Sequence, residues 1–586
     1  MLTARRIEKY GGQFSFQSGP TARCREVGVR SENARQGEAD LSDLDRSPSH
    51  RLAMEHISPS FTFKEEEEHT MENVGSGAYR RSLFLCAALL AATFPAIGPA
   101  KADGPKPGAA SGNRYDWLQF GFDQAHSGND TKEAKITVKD VAGLHRLYRV
   151  SLPHVADGAP AYLSDVHTPH GTMDFLFLTT KDGRILAVDA SNGRIVWQHQ
   201  YGPGSYRINN GYQPVYTTSS PAVDPNREFV YSYGLDGYVH KYRVVSGEEV
   251  KGGGWPELCT TKSFNEKGSS ALAIAIAKNG VSYLYVTNGR YLGDRGDYQG
   301  HVTTINLNTG SQNVFNADCS DENVHFVRRP GKPDCPSVQS AIWARPGVIY
   351  DAATDRVYAA TGNGTFDPGK HDWGDTIFSL DPDGTGRDGN PLDSYTPANH
   401  GYLNSADLDL GSTAPAILPT PVNCAVRNFA VQGGKDMKLR LVNLADLSGK
   451  GGPGRVGGEI GRLIDVPQGG MVFTQPAVWV NPEDHSTWVF VATYSGLSGL
   501  RLHVNGRGEP SLQVIWKNGD EGSSPIVAND VLFCAGSHDM RALDPATGKL
   551  LWHDTTIGGI HWESPIVDNG VLYITDESGD LTAYGL

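Results

Sequence analysis

The chain is predicted to be all-β, an eight-bladed β-propeller of four-stranded antiparallel blades. Three observations carry that expectation. A pattern of a small-residue pair, often followed by Pro, then an apolar strand, a turn, a second strand and an Asp-Gly or Thr-Gly turn returns from about Gly158 to Leu586. Its period of about 40–50 residues, with only short strands and turns inside it, is that of a radial array of small sheets. The 69 Gly and 34 Pro supply the turns such strands need. Finally, Leu147–Leu152 is an alternating strand with no blade of its own, and it precedes the first copy.

The copies start at Ala159-Pro160, Ser220-Pro221, Ser270-Ala271, Ile342-Trp343, Ala414-Pro415, Gln475-Pro476, Ser524-Pro525 and Ser564-Pro565. The third and fourth lack the proline. Alternation inside the copies, as in Phe229-Val230-Tyr231-Ser232-Tyr233, marks strands rather than helices. The eighth copy runs out at Leu586 before an outer strand can form, so Leu147–Leu152 is expected to complete it. A ring closed in this way by its N-terminal strand has no free edge.

Ahead of the ring the chain changes character. Residues 1–70 are polar, contain Glu65-Glu66-Glu67-Glu68 and carry no repeat, so a disordered or mis-assigned start is expected, with translation beginning at Met71. Residues 71–102 read as a secretory signal peptide: Arg80-Arg81, an apolar run from Leu83 to Ile97, and Ala100-Lys101-Ala102 as the cleavage site. A membrane anchor is the competing reading; Pro95 interrupts the run, which is short for a span of about 20 residues. Cleavage after Ala102 would leave a periplasmic or secreted chain with no membrane span. Residues 103–143 form an N-terminal extension, in which Trp117-Leu118-Gln119-Phe120 and His126 are expected to dock on the ring, and residues 144–586 form the propeller.

Composition excludes several partners and chemistries. A net charge of −14 with no run of Lys or Arg speaks against nucleic acid. There is no Cys-x-x-Cys-His for haem, no His-Glu-x-x-His, no phosphate-binding loop and no Gly-x-Ser-x-Gly elbow. In an oxidising compartment Cys319 and Cys335, which flank a polar loop, are expected to pair; closing about 15 residues stabilises by roughly 3 kcal/mol. Cys259, Cys424 and Cys534 cannot be paired from sequence. Asp381–Gly389 has the acidic, Gly-rich look of a calcium loop but lacks the closing Glu and sits where an Asp-Thr-Gly turn belongs.

Two segments share one form: Ala187-Val188-Asp189-Ala190-Ser191-Asn192-Gly193-Arg194-Ile195-Val196-Trp197 and Ala542-Leu543-Asp544-Pro545-Ala546-Thr547-Gly548-Lys549-Leu550-Leu551-Trp552. Asp and Asn or Thr bond turn amides, Gly takes positive φ, and Trp is expected to pack between blades. With this motif the chain resembles the pyrroloquinoline-quinone (PQQ) propellers over roughly Trp117–Leu586. That superfamily holds quinoprotein alcohol and sugar dehydrogenases and also non-enzymatic members of outer-membrane protein assembly. Ser340-Ala341-Ile342-Trp343 followed by Thr361-Gly362-Asn363-Gly364 is similar to the cofactor-bearing blade of the dehydrogenases. The resemblance implies Trp343 as the floor under PQQ and Asn363 as a ligand of a calcium or lanthanide ion. It further implies Asp407 as the catalytic base, Asp409 as a second metal carboxylate, and Lys435 as the basic contact to the quinone oxygens.

Such a site would oxidise an alcohol or sugar and pass electrons to a separate acceptor. The chemistry is coherent: a hard cation wants oxygen ligands, a carboxylate takes the hydroxyl proton, a lysine stabilises a reduced oxygen, and an indole offers a flat surface. The chain departs from the pattern in having no adjacent cysteines and in placing Ala406 and Leu408 around the base. The alternative is a non-catalytic scaffold that holds cell-envelope proteins.

Overall fold

The computed structural model describes residues 114–208, 211–291, 296–322 and 335–586. The expected signal peptide and the segment before it lie outside the described residues. Among the described residues eight antiparallel sheets succeed one another along the chain, one per repeat. Their innermost strands are Ala161–Thr168, Ala222–Val223, Ala273–Ile276, Ile349–Asp351, Ala416–Leu418, Ala477–Val480, Ile526–Ala528 and Ile566–Asp568. The architecture is the eight-bladed propeller.

Each blade is buried on both faces by its neighbours, so its middle strands are continuous apolar runs rather than alternating ones. Val531–Ala535 is buried at every position, whereas the outer strand Ile195–Gln200 is half exposed. The tryptophans of the shared turn motif bridge successive blades: Trp197 Nε1 donates to Val244 O at 2.9 Å and Trp552 Nε1 to Leu144 O at 2.9 Å. Gly247 shows why the turn needs glycine. Its φ is +69°, and a Cβ there would lie 2.6 Å from the Trp197 ring.

The ring closes as expected. His145–Ser151 is the fourth strand of blade eight, antiparallel to Asp580–Gly585, with His145 opposite Gly585 and Ser151 opposite Asp580. The Cys319–Cys335 disulfide is formed, while Cys259, Cys424 and Cys534 are free and buried. At Asp381–Thr385 the backbone closes a turn, Gly384 N to Asp381 O at 2.8 Å, and Thr385 Oγ1 donates to Asp383 at 2.6 Å.

Blade four differs from its expected start. Its first strand begins at Ile349, not directly after Ile342-Trp343, and the position that most other blades give to a small residue before Pro is held by Arg345-Pro346. Ala271 N donates to Arg345 O at 2.8 Å, as Leu272 N does to Ser220 O at 3.0 Å. A side chain of Arg size hid the repeat from a search for small residues.

Residues 114–143 thread across the ends of the inner strands. Trp117 exchanges two backbone bonds with Tyr162, Leu118 O accepts from Val223 N, and Gln119 Oε1 from Ile274 N. Further on, Gln124 O accepts from Tyr350 N, Ser127 O from Val478 N and Gly128 O from Val527 N. The segment therefore satisfies inner-strand donors of six blades, and Trp117, Phe120 and Ile136 join the core shared with blades one, seven and eight. His126 is fully buried, its Nδ1 against Phe120 O, within a small cavity lined by Gln475, Ser524 and Ser564.

Candidate functional site

Trp343 is held by a segment wedged between blades three and four. Ile342 N donates to Asn288 O at 3.2 Å, and Ser340 N to Asn363 O at 3.0 Å. Gly362 N returns a bond to Ala341 O at 2.8 Å. The indole is half-buried, meets Phe473 (6.0 Å between centroids) and stands T-shaped to Trp562 at 6.4 Å. Phe473 and Trp562 are 5.9 Å apart, which completes an aromatic triangle.

Asp409 organises the polar side. A short helix, His400–Ala406, ends on Asp407 in the left-handed conformation (φ 54°, ψ 49°), and this turn directs the chain back to Asp409. Asp409 Oδ1 accepts from Asn363 N at 2.9 Å; Oδ2 accepts from Trp343 Nε1 at 3.1 Å and pairs with Lys435 Nζ at 2.9 Å. Lys435 Nζ also reaches Asp407 Oδ1 at 2.9 Å and stands 5.4 Å from the Trp343 ring centre. Glycine at position 362 leaves room for the approach, since a Cβ there would sit 3.1 Å from Asp409 Cγ and 3.2 Å from Trp343 Nε1.

Electrostatics follow from burial. Desolvation opposes the charge on Lys435, but Asp409 and Asp407 outweigh it and hold the ammonium well above its ordinary pKa. Asp409 is buried (side chain 5 % exposed), while Asp407 is open (46 %). Behind them burial pushes the Asp375 carboxyl up to about 8, against the Leu410 N bond and with Asp409 nearby. Asp375 therefore carries a proton near pH 7.

Trp343, Asn363, Asp407, Asp409 and Lys435 thus converge, Asn363 through its backbone amide. Phe473, Trp562 and Asp375 were not foreseen. The only hint in the sequence was that Trp562 stands two positions before the Ser564-Pro565 start. An accessible carboxyl group beside an ammonium that meets a half-buried indole can hold a flat polar ring and accept a proton from a hydroxyl.

The fold is that of the quinoprotein-dehydrogenase-like propellers. Two quinohemoprotein alcohol dehydrogenases, from Pseudomonas putida HK5 and Comamonas testosteroni, superpose with TM-scores of 0.52 and 0.53 at 14 % identity, over 80 % of this chain and 80 % of theirs. A europium-containing methanol dehydrogenase superposes with a TM-score of 0.54 at 15 % identity, over 80 % of this chain and 98 % of its own. Residues 502–586 match the family model of the outer membrane protein assembly factor BamB. No curated protein sequence matches the chain. At such identities the likeness establishes the fold, and activity has to be argued from the residues.

Proposed function

We propose that the chain is a quinoprotein-like oxidoreductase that binds PQQ over Trp343 and oxidises an alcohol or sugar. The observation that carries this reading is Lys435 Nζ, bonded to both Asp407 and Asp409 and poised at the Trp343 ring. PQQ, when bound, supplies the electrophilic carbonyl and takes up two electrons from the substrate. Trp343 would hold the flat ring by stacking, and Lys435 would donate to an oxygen that gains charge. Asp407, the exposed carboxyl that Lys435 Nζ meets at 2.9 Å, would accept the hydroxyl proton.

The residues fit the quinone better than the cation. Asn363 and Asp409 would hold a calcium or lanthanide ion, yet three of the roughly four lone-pair positions of Asp409 are already engaged. A calcium ion asks for about 6–8 oxygens, and here an ammonium already balances the carboxylates. Titration with PQQ, with and without Ca²⁺ or La³⁺, separates the two. With the signal peptide expected at residues 71–102, the setting of the reading is the periplasm or the medium, with electrons leaving to a separate acceptor.

The test is PQQ binding by tryptophan fluorescence, followed by dye reduction with alcohols and sugars. Asp407→Asn is expected to lower turnover by roughly 100-fold or more with quinone affinity intact; unchanged turnover removes Asp407 as the base. A second reading, an envelope scaffold, is favoured by the BamB match over the last blades. It expects no quinone uptake and envelope partners that are retained by Trp343→Ala.

A further inference from the structure

The axis carries a second polar cluster that the quinone reading leaves unused. A column of contacts leads to it: Lys435 to Trp343, Trp343 to Trp562, and Trp562 to the Arg345 guanidinium at 5.8 Å from its ring centre. Arg345 then lies 5.9 Å from the Phe120 ring of the N-terminal extension. Its Nη1 donates to Thr218 O at 3.1 Å and Ser269 O at 3.2 Å, across from its own blade. Its buried Nε has no acceptor among the described residues.

Lys267 stands two residues before Ser269, on Glu266–Gly268, which pairs with the far end of the long strand Ser282–Arg290. The residue is 7 % exposed. Its ammonium rests 4.1 Å from the Tyr216 ring centre and makes no hydrogen bond or ion pair among the described residues. The neighbouring anion is already committed: Asp157 Oδ1 accepts from Trp562 N at 2.9 Å, and Oδ2 from His561 Nδ1 at 2.8 Å and Lys181 Nζ at 3.1 Å. Glu563 is held neutral, because burial and then Asp157 and Glu577 raise its carboxyl far above the usual range. Arg345 Nε is thus a buried donor without an acceptor, and the Lys267 ammonium has the Tyr216 ring as its neighbour, whereas buried donors are ordinarily paired.

We infer that Lys267 and Arg345, beside Tyr216, form a carboxylate-binding subsite on the propeller axis for a small organic acid. Charge supports it: Lys181, Lys267 and Arg345 face the single ionised Asp157 and the Glu577 that pairs with Lys181. Burial lowers the Lys267 amine to about 7; Asp157 offsets part of this, and Arg345 and Lys181 lower it further. An arriving carboxylate would supply the missing acceptor and draw a proton onto the amine. Its source is either an acid group of the proposed quinone or a free organic acid, and the proposal does not depend on which.

The test is calorimetric titration of the full chain with citrate, gluconate and PQQ, against chloride at matched ionic strength. Lys267→Met keeps the length of the side chain against Tyr216 and removes the amine. Supporting results are a carboxylate affinity at least ten-fold weaker in Lys267→Met, and in the unaltered chain at least ten-fold weaker at pH 8.5 than at pH 6. The second reading is needed if the variant does not fold. Loss of that pH dependence in Lys267→Met separates the lysine from His561, which faces the same Asp157. Citrate or gluconate binding assigns the site to a free acid; binding of PQQ alone, weakened in Lys267→Met, assigns it to the cofactor. Trp343→Ala should weaken PQQ and leave citrate unchanged, so the quinone reading can fail without this one. No carboxylate bound at millimolar concentration, or equal affinity in Lys267→Met, overturns the inference.

Discussion

Asp409 is the residue on which the candidate site depends, since one carboxylate ties an indole, a backbone amide and an ammonium together. Gly362→Ala tests that arrangement without removing any of its polar groups. The added methyl must displace Asp409 or Trp343, at a cost of about 1–3 kcal/mol, and quinone binding should weaken with the stability. A chemical-denaturation series beside a PQQ titration reads both effects, and an unchanged pair would mean that the bond is not needed. Asp318 gives a pH test. It is fully buried, its Oδ1 accepts from Ser340 Oγ at 2.7 Å and its Oδ2 has no partner among the described residues. Burial raises it to about 7, with Asp372 adding to the shift. The folded state then holds a proton that the unfolded chain releases near 4, so the contribution is present at low pH and lost as pH rises from about 4 to 7. Asp318→Asn should flatten that part of the stability–pH curve, and a curve of unaltered slope would refute the assignment. At this scale the sequence singled out Trp343, Asn363, Asp407, Asp409 and Lys435, which the structure brings together. It was not legible at Phe473, Trp562, Arg345 and Lys267, because they meet only where separate blades reach the axis.

Among elements, the turns and the disulfide loop were readable from local chemistry. Asp-x-x-x-Gly states its own conformation, since the carboxylate takes turn amides (Asp544 Oδ1 from Ala546 N at 2.9 Å) and the glycine takes positive φ. What the motif does not state is which partner it meets. Gly548 (φ +70°) packs on Trp516 of the preceding blade, where a Cβ would lie 2.6 Å from the ring, and Trp516 Nε1 donates to Pro545 O at 2.8 Å. Gly548→Ala thus meets both an unfavourable backbone and an occupied space, and should cost about 2–4 kcal/mol. Gly280→Ala shares the positive φ (+80°) with nothing within 4 Å, so it isolates the backbone share. Equal losses in the two variants would show that blade contact at this turn contributes nothing. The Cys319–Cys335 bond spans 16 positions, and the double Ser variant should lose about 3 kcal/mol by restoring freedom to the unfolded loop. Thermal unfolding with and without reductant measures it. The start of blade four was misplaced because the pattern looked for a small residue, and the chain puts Arg345 there.

For the whole molecule, ring closure is the property that repeat counting foresaw, because a last copy lacking its outer strand and a spare strand at the other end imply each other. The route of the extension was not foreseeable, since its contacts with six blades are mostly backbone bonds that no side-chain pattern encodes. Closure and extension stabilise differently, and the register separates them. His145 lies opposite Gly585 and the two strands run antiparallel, so the closing strand could follow Leu586 through a short hairpin. A chain begun at Pro153 loses the extension and leaves Asp580–Gly585 as a bare edge, and it is expected to aggregate. Appending residues 144–152 after Leu586 through a short Asn-Gly turn should restore a monomer. That monomer should melt below the full chain, since Trp117, Phe120 and Ile136 remain missing from the core. Size-exclusion chromatography and thermal unfolding of the three chains distinguish the two contributions. If the chain begun at Pro153 were monomeric with the full chain's Tm, neither the closing strand nor the extension would be a source of stability, and the propeller would be held by blade-to-blade packing alone.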